Sequence, residues 1–147
     1  VGAFVADVPL RWSDMDAFGH VNHARTVTLL EEARVELLFT EAGRQGLLGM
    51  AEGMVVARLA VDYRIPVAHS AGTLQVRLSV RDLKSASFVI DYSASTSGSA
   101  EVATAETVMV PYDLKAGRPR RLTSDERTFL AEWQLTLAAS EAGHDHA

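Results

Sequence analysis

Hydrophobic and polar residues alternate with a period of two in four segments between residues 57 and 111. Ala57, Leu59, Val61, Tyr63 and Ile65 alternate with Arg58, Ala60, Asp62 and Arg64. Leu74, Val76, Leu78 and Val80 alternate with Gln75, Arg77, Ser79 and Arg81. Phe88, Ile90, Tyr92 and Ala94 alternate with Ser87, Val89, Asp91 and Ser93, and residues 102–111 alternate less regularly. Side chains of a strand point to opposite faces in turn, so each segment predicts a strand with one buried and one wetter face. The connectors at 66–72, 82–86 and 97–100 are of hairpin length, which predicts antiparallel neighbours in chain order.

Upstream, Val8, Leu10 and Trp12 alternate with Pro9, Arg11 and Ser13, a short strand signal with Pro9 near its start. From residue 23 to about 42 the period becomes helical. Val27, Leu30, Leu37 and Phe39, with Leu29, Ala33 and Leu38, form a broad apolar stripe, while Glu31, Glu32, Arg34, Glu36 and Glu41 occupy the other faces. Asn22 reads as the N-cap and Gly43 as the residue past the end. Residues 43–53 read as a loop with one short turn of helix. Residues 118–121 form a basic connector, and Ser124 reads as the cap of a short helix at 125–133.

The order is strand, long helix, then four antiparallel strands. It predicts an α+β fold in which a five-stranded antiparallel sheet wraps around one long central helix. A ferredoxin-like fold would need two comparable helices. One sheet with one helix leaves apolar surface uncovered, which predicts a homodimer or homotetramer. Residues 1–133 form a single domain, and residues 134–147 a tail expected to fray.

Composition narrows the classes. The 147 residues carry 14 Lys and Arg against 19 Asp and Glu, a net charge of −5, so no overall basic footprint for nucleic acid exists. There is no cysteine, which removes disulfides, thiolate catalysis and Cys-ligated metals, and fits a reducing compartment. No apolar run approaches the ~18 residues of a membrane span. Residues 1–10 lack the basic and apolar regions of a signal peptide, and a cytoplasmic location is expected.

Candidate chemistry concentrates before the long helix, where Asp14, Asp16, His20, Asn22 and His23 fall within ten residues. A helix start offers free backbone N–H groups and the positive end of the dipole, which suit a developing oxyanion. Asp14 and Asp16 also read as turn caps, and Asn22 as a plain N-cap. The two histidines with two aspartates match no metal-ligand spacing, so no metal is expected. Arg25 stands in the first helical turn, where a cation opposes the dipole.

The run Arg11-Trp12-Ser13-Asp14-Met15-Asp16-Ala17-Phe18-Gly19-His20-Val21-Asn22-His23, continuing to Glu31-Glu32-Ala33-Arg34, resembles the signature of hotdog-fold acyl-CoA thioesterases of the 4-hydroxybenzoyl-CoA thioesterase type. Weaker echoes are Tyr63-Arg64-Ile65-Pro66 and Lys84-Ser85-Ala86-Ser87-Phe88. The resemblance covers about residues 8–130. It implies hydrolysis of an acyl-CoA to a carboxylic acid and free CoA, without a cofactor. It assigns Asp16 as the catalytic carboxylate, acting as general base or as nucleophile. It assigns the backbone N–H of His23 as the group that polarises the thioester carbonyl. Asp14, Gly19, His20 and Asn22 would shape the loop and helix start. CoA would lie across a subunit interface, with Lys84, Ser85 and Ser87 near its nucleotide end. Arg118, Arg120 and Arg121 are a weaker candidate for that contact, and Met54 and Phe88 for an acyl pocket. In some relatives the acid lies on the helix, where Glu31 and Glu32 stand here. An acyl-CoA sensor without turnover, or a hydratase or dehydratase of the same fold, are the alternatives.

Overall fold

The alternating residues of the central segments are buried as their period requires: Leu74, Val76, Leu78 and Val80 on one strand, Phe88, Ile90, Tyr92 and Ala94 on the next. The computed structural model describes residues 2–96 and 100–135. Its strands are β1 (Phe4–Pro9), β2 (Met54–Tyr63), β3 (Thr73–Arg81), β4 (Phe88–Thr96), β5 (Glu101–Asp113) and the short β6 (Arg118–Pro119). Its helices are α1 (His23–Val35), α2 (Ala42–Arg44), α3 (Gly49–Glu52) and α4 (Ser124–Glu132). All strand pairs are antiparallel, and the order across the sheet is β1-β3-β4-β5-β2, with β6 added on β5. The sheet thus has the five expected strands plus β6, laid against one long helix.

Chain order fails as a guide at one connector. Residues 66–72 do not close a hairpin: β2 pairs with β5, and β3 with β1 and β4. The segment instead carries the chain from one edge of the sheet to the β1 side, through a 3-10 turn at His69–Ala71. Expected burial fails on β2, most of which is exposed. As an edge strand it has a neighbour on one side only, and α1 packs closest on β1 and β3, at the other side of the sheet. Val55, Val56, Leu59 and Tyr63 therefore remain exposed.

Boundaries shift elsewhere for local reasons. β1 begins earlier than predicted and ends at Pro9, which lacks the N–H to continue the ladder. Trp12 falls in a 3-10 turn, Trp12–Asp14, and is largely exposed. The long helix keeps its N-cap, with Asn22 Oδ1 accepting from the Ala24 N–H at 2.9 Å. Past Val35 it passes into a π-helical stretch, Glu36–Glu41, where the Ala42 N–H bonds the Leu37 carbonyl five residues back. The wider turn moves the stripe by one position: Leu37, Leu38 and Ala42 are buried, and Phe39 turns outward. The helical run ends at Gly46, which has φ +80, and not at Gly43. The cap of α4 is Thr123 rather than Ser124; its hydroxyl accepts from the Glu126 N–H at 3.1 Å while Glu126 accepts from the Thr123 N–H at 2.9 Å.

Residues 97–99 of the expected β4–β5 turn, and residues 136–147 of the expected frayed tail with His144 and His146, lie outside the described residues. Gln134, at the start of that tail, forms a parallel bridge with Val80.

Candidate active site

The loop before α1 is a small hairpin. Met15 bridges Val21, the Asp16 N–H bonds the His20 carbonyl at 2.7 Å, and the Gly19 N–H bonds the Asp16 carbonyl at 3.1 Å. Gly19 takes φ +78, the left-handed conformation that closes a three-residue hairpin loop and that a side chain would strain. The hairpin is fastened to the β2–β3 crossover, because the Val21 N–H bonds the Val67 carbonyl at 2.7 Å and His20 bridges Ala68.

Asp16 does two things with two oxygens. Its Oδ1 accepts from the Phe18 N–H at 2.8 Å and the His20 N–H at 3.1 Å, which fixes the carboxylate on the turn. Its Oδ2 has no hydrogen-bond partner among the described residues. Turn-capping and an available carboxylate oxygen are therefore properties of the same side chain. Asp14 differs. It is only 1% exposed, its Oδ2 accepts from the Arg11 N–H at 2.9 Å, and its carbonyl accepts from the Asn22 N–H at 2.9 Å. Asp14 thus ties the strand end to the helix cap. Its Oδ1 is buried without a partner among the described residues.

At the start of α1 the His23 N–H has no partner among the described residues, as expected for a first-turn donor. The His23 carbonyl accepts from the Tyr63 hydroxyl at 2.6 Å, and the two rings meet edge to face. Partial burial raises the Tyr63 phenol above its ordinary pKa. In the sequence Tyr63 stands only within a weak echo; its link to His23 spans 40 residues and has no local signal.

Asp16, His20, His23 and Tyr63 line one cavity of about 420 Å³ between α1 and the sheet. Its inner wall is made of buried apolar residues, among them Leu29, Leu74, Ala94 and Ala103. Gly19 and Asn22 build the loop and cap without lining it. A fixed carboxylate with one free oxygen, a free N–H at the positive end of a helix and an apolar cavity beside them suit attack on a carbonyl whose oxygen gains charge.

Other candidates lie elsewhere. Lys84, Ser85 and Ser87 form the β3–β4 turn, where the Lys84 N–H bonds the Ser87 carbonyl and Ser85 accepts from the Leu122 N–H. β1 pairs Pro9 with Thr73, so the Asp16 loop lies beyond one end of β3 and Lys84 beyond the other. The nine residues of β3 alone separate those ends by roughly 26 Å. Arg120 is engaged within the fold, with Glu126 at 2.8 and 3.0 Å. Phe88 is core, Met54 packs against the core, and neither lines the cavity. Arg25 is exposed and does not line it either. Glu31 pairs with Arg34 and Glu32 with Arg11. No three His, Asp or Glu side chains gather in a metal-binding arrangement among the described residues.

The sequence profile of the thioesterase-like superfamily matches residues 10–134. No curated protein matches the chain. Among solved structures, the PA5185 protein of Pseudomonas aeruginosa is 25% identical, with a TM-score of 0.78, covering 90% of this chain and 92% of its own. A thioesterase complexed with coenzyme A and zinc from Thermus thermophilus is 26% identical, with a TM-score of 0.73 and coverage of 88% and 93%. A 1,4-dihydroxy-2-naphthoyl-CoA thioesterase from Synechocystis, 20% identical with a TM-score of 0.73 and coverage of 89% and 97%, shares the fold.

Proposed function

The chain belongs to the thioesterase-like superfamily, and from that premise we propose that it hydrolyses the thioester of an acyl-CoA to a carboxylic acid and free CoA. The observation that carries this reading is Asp16: Oδ1 is held by two backbone N–H groups while Oδ2 is free beside an apolar cavity. The thioesterase of Thermus thermophilus, described with coenzyme A, supports CoA as the carrier. The catalytic arrangement is proposed to be that of the 4-hydroxybenzoyl-CoA thioesterase type, which names the disposition of groups and not the acyl group.

The thioester carbonyl would lie between Asp16 and the start of α1, with the acyl chain in the cavity. Asp16 Oδ2 takes a proton from water as the water oxygen bonds to the carbonyl carbon, or itself bonds to that carbon to form an anhydride that water then cleaves. On either route the carbonyl oxygen gains negative charge, and the His23 N–H and the helix dipole stabilise it. On the first route the C–S bond breaks as the tetrahedral adduct collapses, and on the second it breaks as the anhydride forms, before water cleaves it; on both the CoA thiolate leaves and takes up a proton.

A second copy of the chain belongs to this reading. β2 is an open edge with exposed apolar residues, next to the mouth of the cavity at Tyr63 and Ile65. Lys84, Ser85 and Ser87 stand too far from Asp16 of their own chain to share a ligand's reactive end. A partner subunit is how they would reach the nucleotide of a CoA. A cytoplasmic location suits such a substrate, and no helix among the described residues is long and apolar enough to cross a membrane.

Release of free thiol from acyl-CoAs tests the function directly, since the chain has no cysteine to contribute background. Asp16→Asn keeps a carbonyl oxygen for the turn and removes the free carboxylate oxygen. It is expected to lower kcat by about 10²–10⁴-fold, the usual worth of a positioned acid or base, with CoA binding retained. Full activity in Asp16→Asn would overturn the reading.

A further inference from the structure

The cavity is open for a reason visible in the register of the sheet. One row of inward residues runs Val76, Ala94, Ala103, Tyr63 across β3, β4, β5 and β2. The next inward row runs Leu78, Tyr92, Ala105, Val61. The first row has two alanines at its centre, and both line the cavity. The second has the Tyr92 ring there, pinned by its hydroxyl to Thr107 at 2.8 Å and to Arg34 at 3.2 Å. The trough therefore lies over the row whose centre is small, and no residue of the Tyr92 row lines it.

The polarity of the lining is graded as well. Its polar side chains, Asp16, His20, His23, Thr26, Tyr63 and Arg64, all belong to the loop, the first turn of α1 and the end of β2. Among the described residues, the buried part of the lining carries no polar side chain. Its backbone is also taken. β4 pairs with β3 on one side and β5 on the other, and the Val102 carbonyl, at the irregularity of β5, accepts from the Arg64 and Ile65 N–H groups at 2.9 and 3.1 Å. A hydroxyl carried to this wall would lose water and find no partner, a penalty of roughly tenfold to a hundredfold in affinity.

We propose that this wall selects an unsubstituted aliphatic acyl chain over a hydroxylated aromatic one, and that Ala94 and Ala103 set the greatest chain length accepted. The proposal rests on the acyl-CoA reading above and names the substrate class of that site. Each buried methylene contributes roughly fourfold. Leucine at either alanine adds about three carbons to the floor, and displaces about as many from the substrate.

The test measures kcat/KM for butyryl-, octanoyl-, palmitoyl- and 4-hydroxybenzoyl-CoA, and the affinity of the matching non-hydrolysable thioethers. Wild type is expected to prefer octanoyl-CoA over 4-hydroxybenzoyl-CoA by at least tenfold. In Ala94→Leu and Ala103→Leu the octanoyl-to-butyryl ratio is expected to fall by roughly fiftyfold. Ala94→Val, a smaller intrusion, should lower the ratio less, and serves if the leucine variants fail to melt cooperatively. Preference for the hydroxybenzoyl ester, or an unchanged length ratio in the folded variants, would overturn the proposal. Absence of thiol release from every ester would remove the hydrolase reading alone. The thioether affinities then decide the wall: a length preference that Ala94→Leu shortens supports it, and no length preference overturns it.

Discussion

At the scale of single residues, the pre-helix loop shows how one side chain can cap a turn and still leave an oxygen available for chemistry. An aspartate that caps its own turn still has a second oxygen, and the fold decides whether that oxygen meets protein, water or a cavity. Asp16 lines the cavity with its Oδ2 unbonded among the described residues, whereas Asp14, two residues earlier, is buried in the joint between β1 and α1. The contrast predicts different penalties. Asp16→Asn should melt within a few degrees of wild type, because the amide oxygen still accepts the Phe18 and His20 N–H groups. Tyr63 acts at the same scale by holding the His23 carbonyl, and through it the first turn of α1. Tyr63→Phe removes one half-exposed hydrogen bond, worth about 0.5–1.5 kcal/mol. The expected result is a threefold to tenfold loss in kcat with KM little changed, measured by steady-state kinetics. An equal loss in thermal stability without loss of kcat would show that the bond is structural only.

At the scale of elements, a buried ion pair joins parts that the sheet leaves loose. Arg120, just past β6, bonds both oxygens of Glu126 on α4 and reaches the Gly49 carbonyl at 3.3 Å, where α3 begins. Glu126 is 2% exposed. Burial alone would raise its carboxyl pKa, but the Arg120 and Thr123 hydrogen bonds outweigh it and hold the group below the ordinary range. A depressed carboxylate binds its proton more weakly in the folded state. It therefore contributes stability above the unfolded value of ~4.3 and loses it as pH falls through the lower folded value. Thermal melting should show a stability loss on acidification below about pH 4.3 that is smaller in Glu126→Gln. At neutral pH the same substitution should cost about 2–3 kcal/mol, through the cap and the unpaired Arg120, which is partly exposed. A pH profile unchanged by the substitution would assign the acid sensitivity to other carboxylates.

At the scale of the whole molecule, one helix cannot cover a six-stranded sheet. Exposed apolar side chains remain on β2 at Val55, Val56 and Leu59, with Tyr63 half-exposed at the cavity mouth. An exposed apolar edge strand is a pairing surface, and this one adjoins the proposed site. Light scattering is expected to give at least twice the chain mass at micromolar concentration. Leu59→Lys should shift the protein toward monomer and lower activity in parallel, since Lys84 and its neighbours would lose the ligand they reach from the partner. A fully active monomer would confine the site to one chain.

Much of this was legible locally. Period-two alternation marked β3, β4 and β5, because residues between neighbouring strands bury one face whatever the register. The helix start was legible at Asn22, since capping is a contact between residues two apart. The gathering of Asp16, His20 and His23 at one cavity was legible, because a single tight hairpin and the helix start it leads into bring them together. What lay beyond reach was set by contacts distant in sequence. The pairing of β2 with β5, the turning out of Phe39, the tie from Tyr63 to His23 and the alanine row under α1 depend on which strands become neighbours. Local sequence determines which faces are apolar and where chemistry gathers. Tertiary packing alone decides what those faces meet, and so the shape and polarity of the cavity.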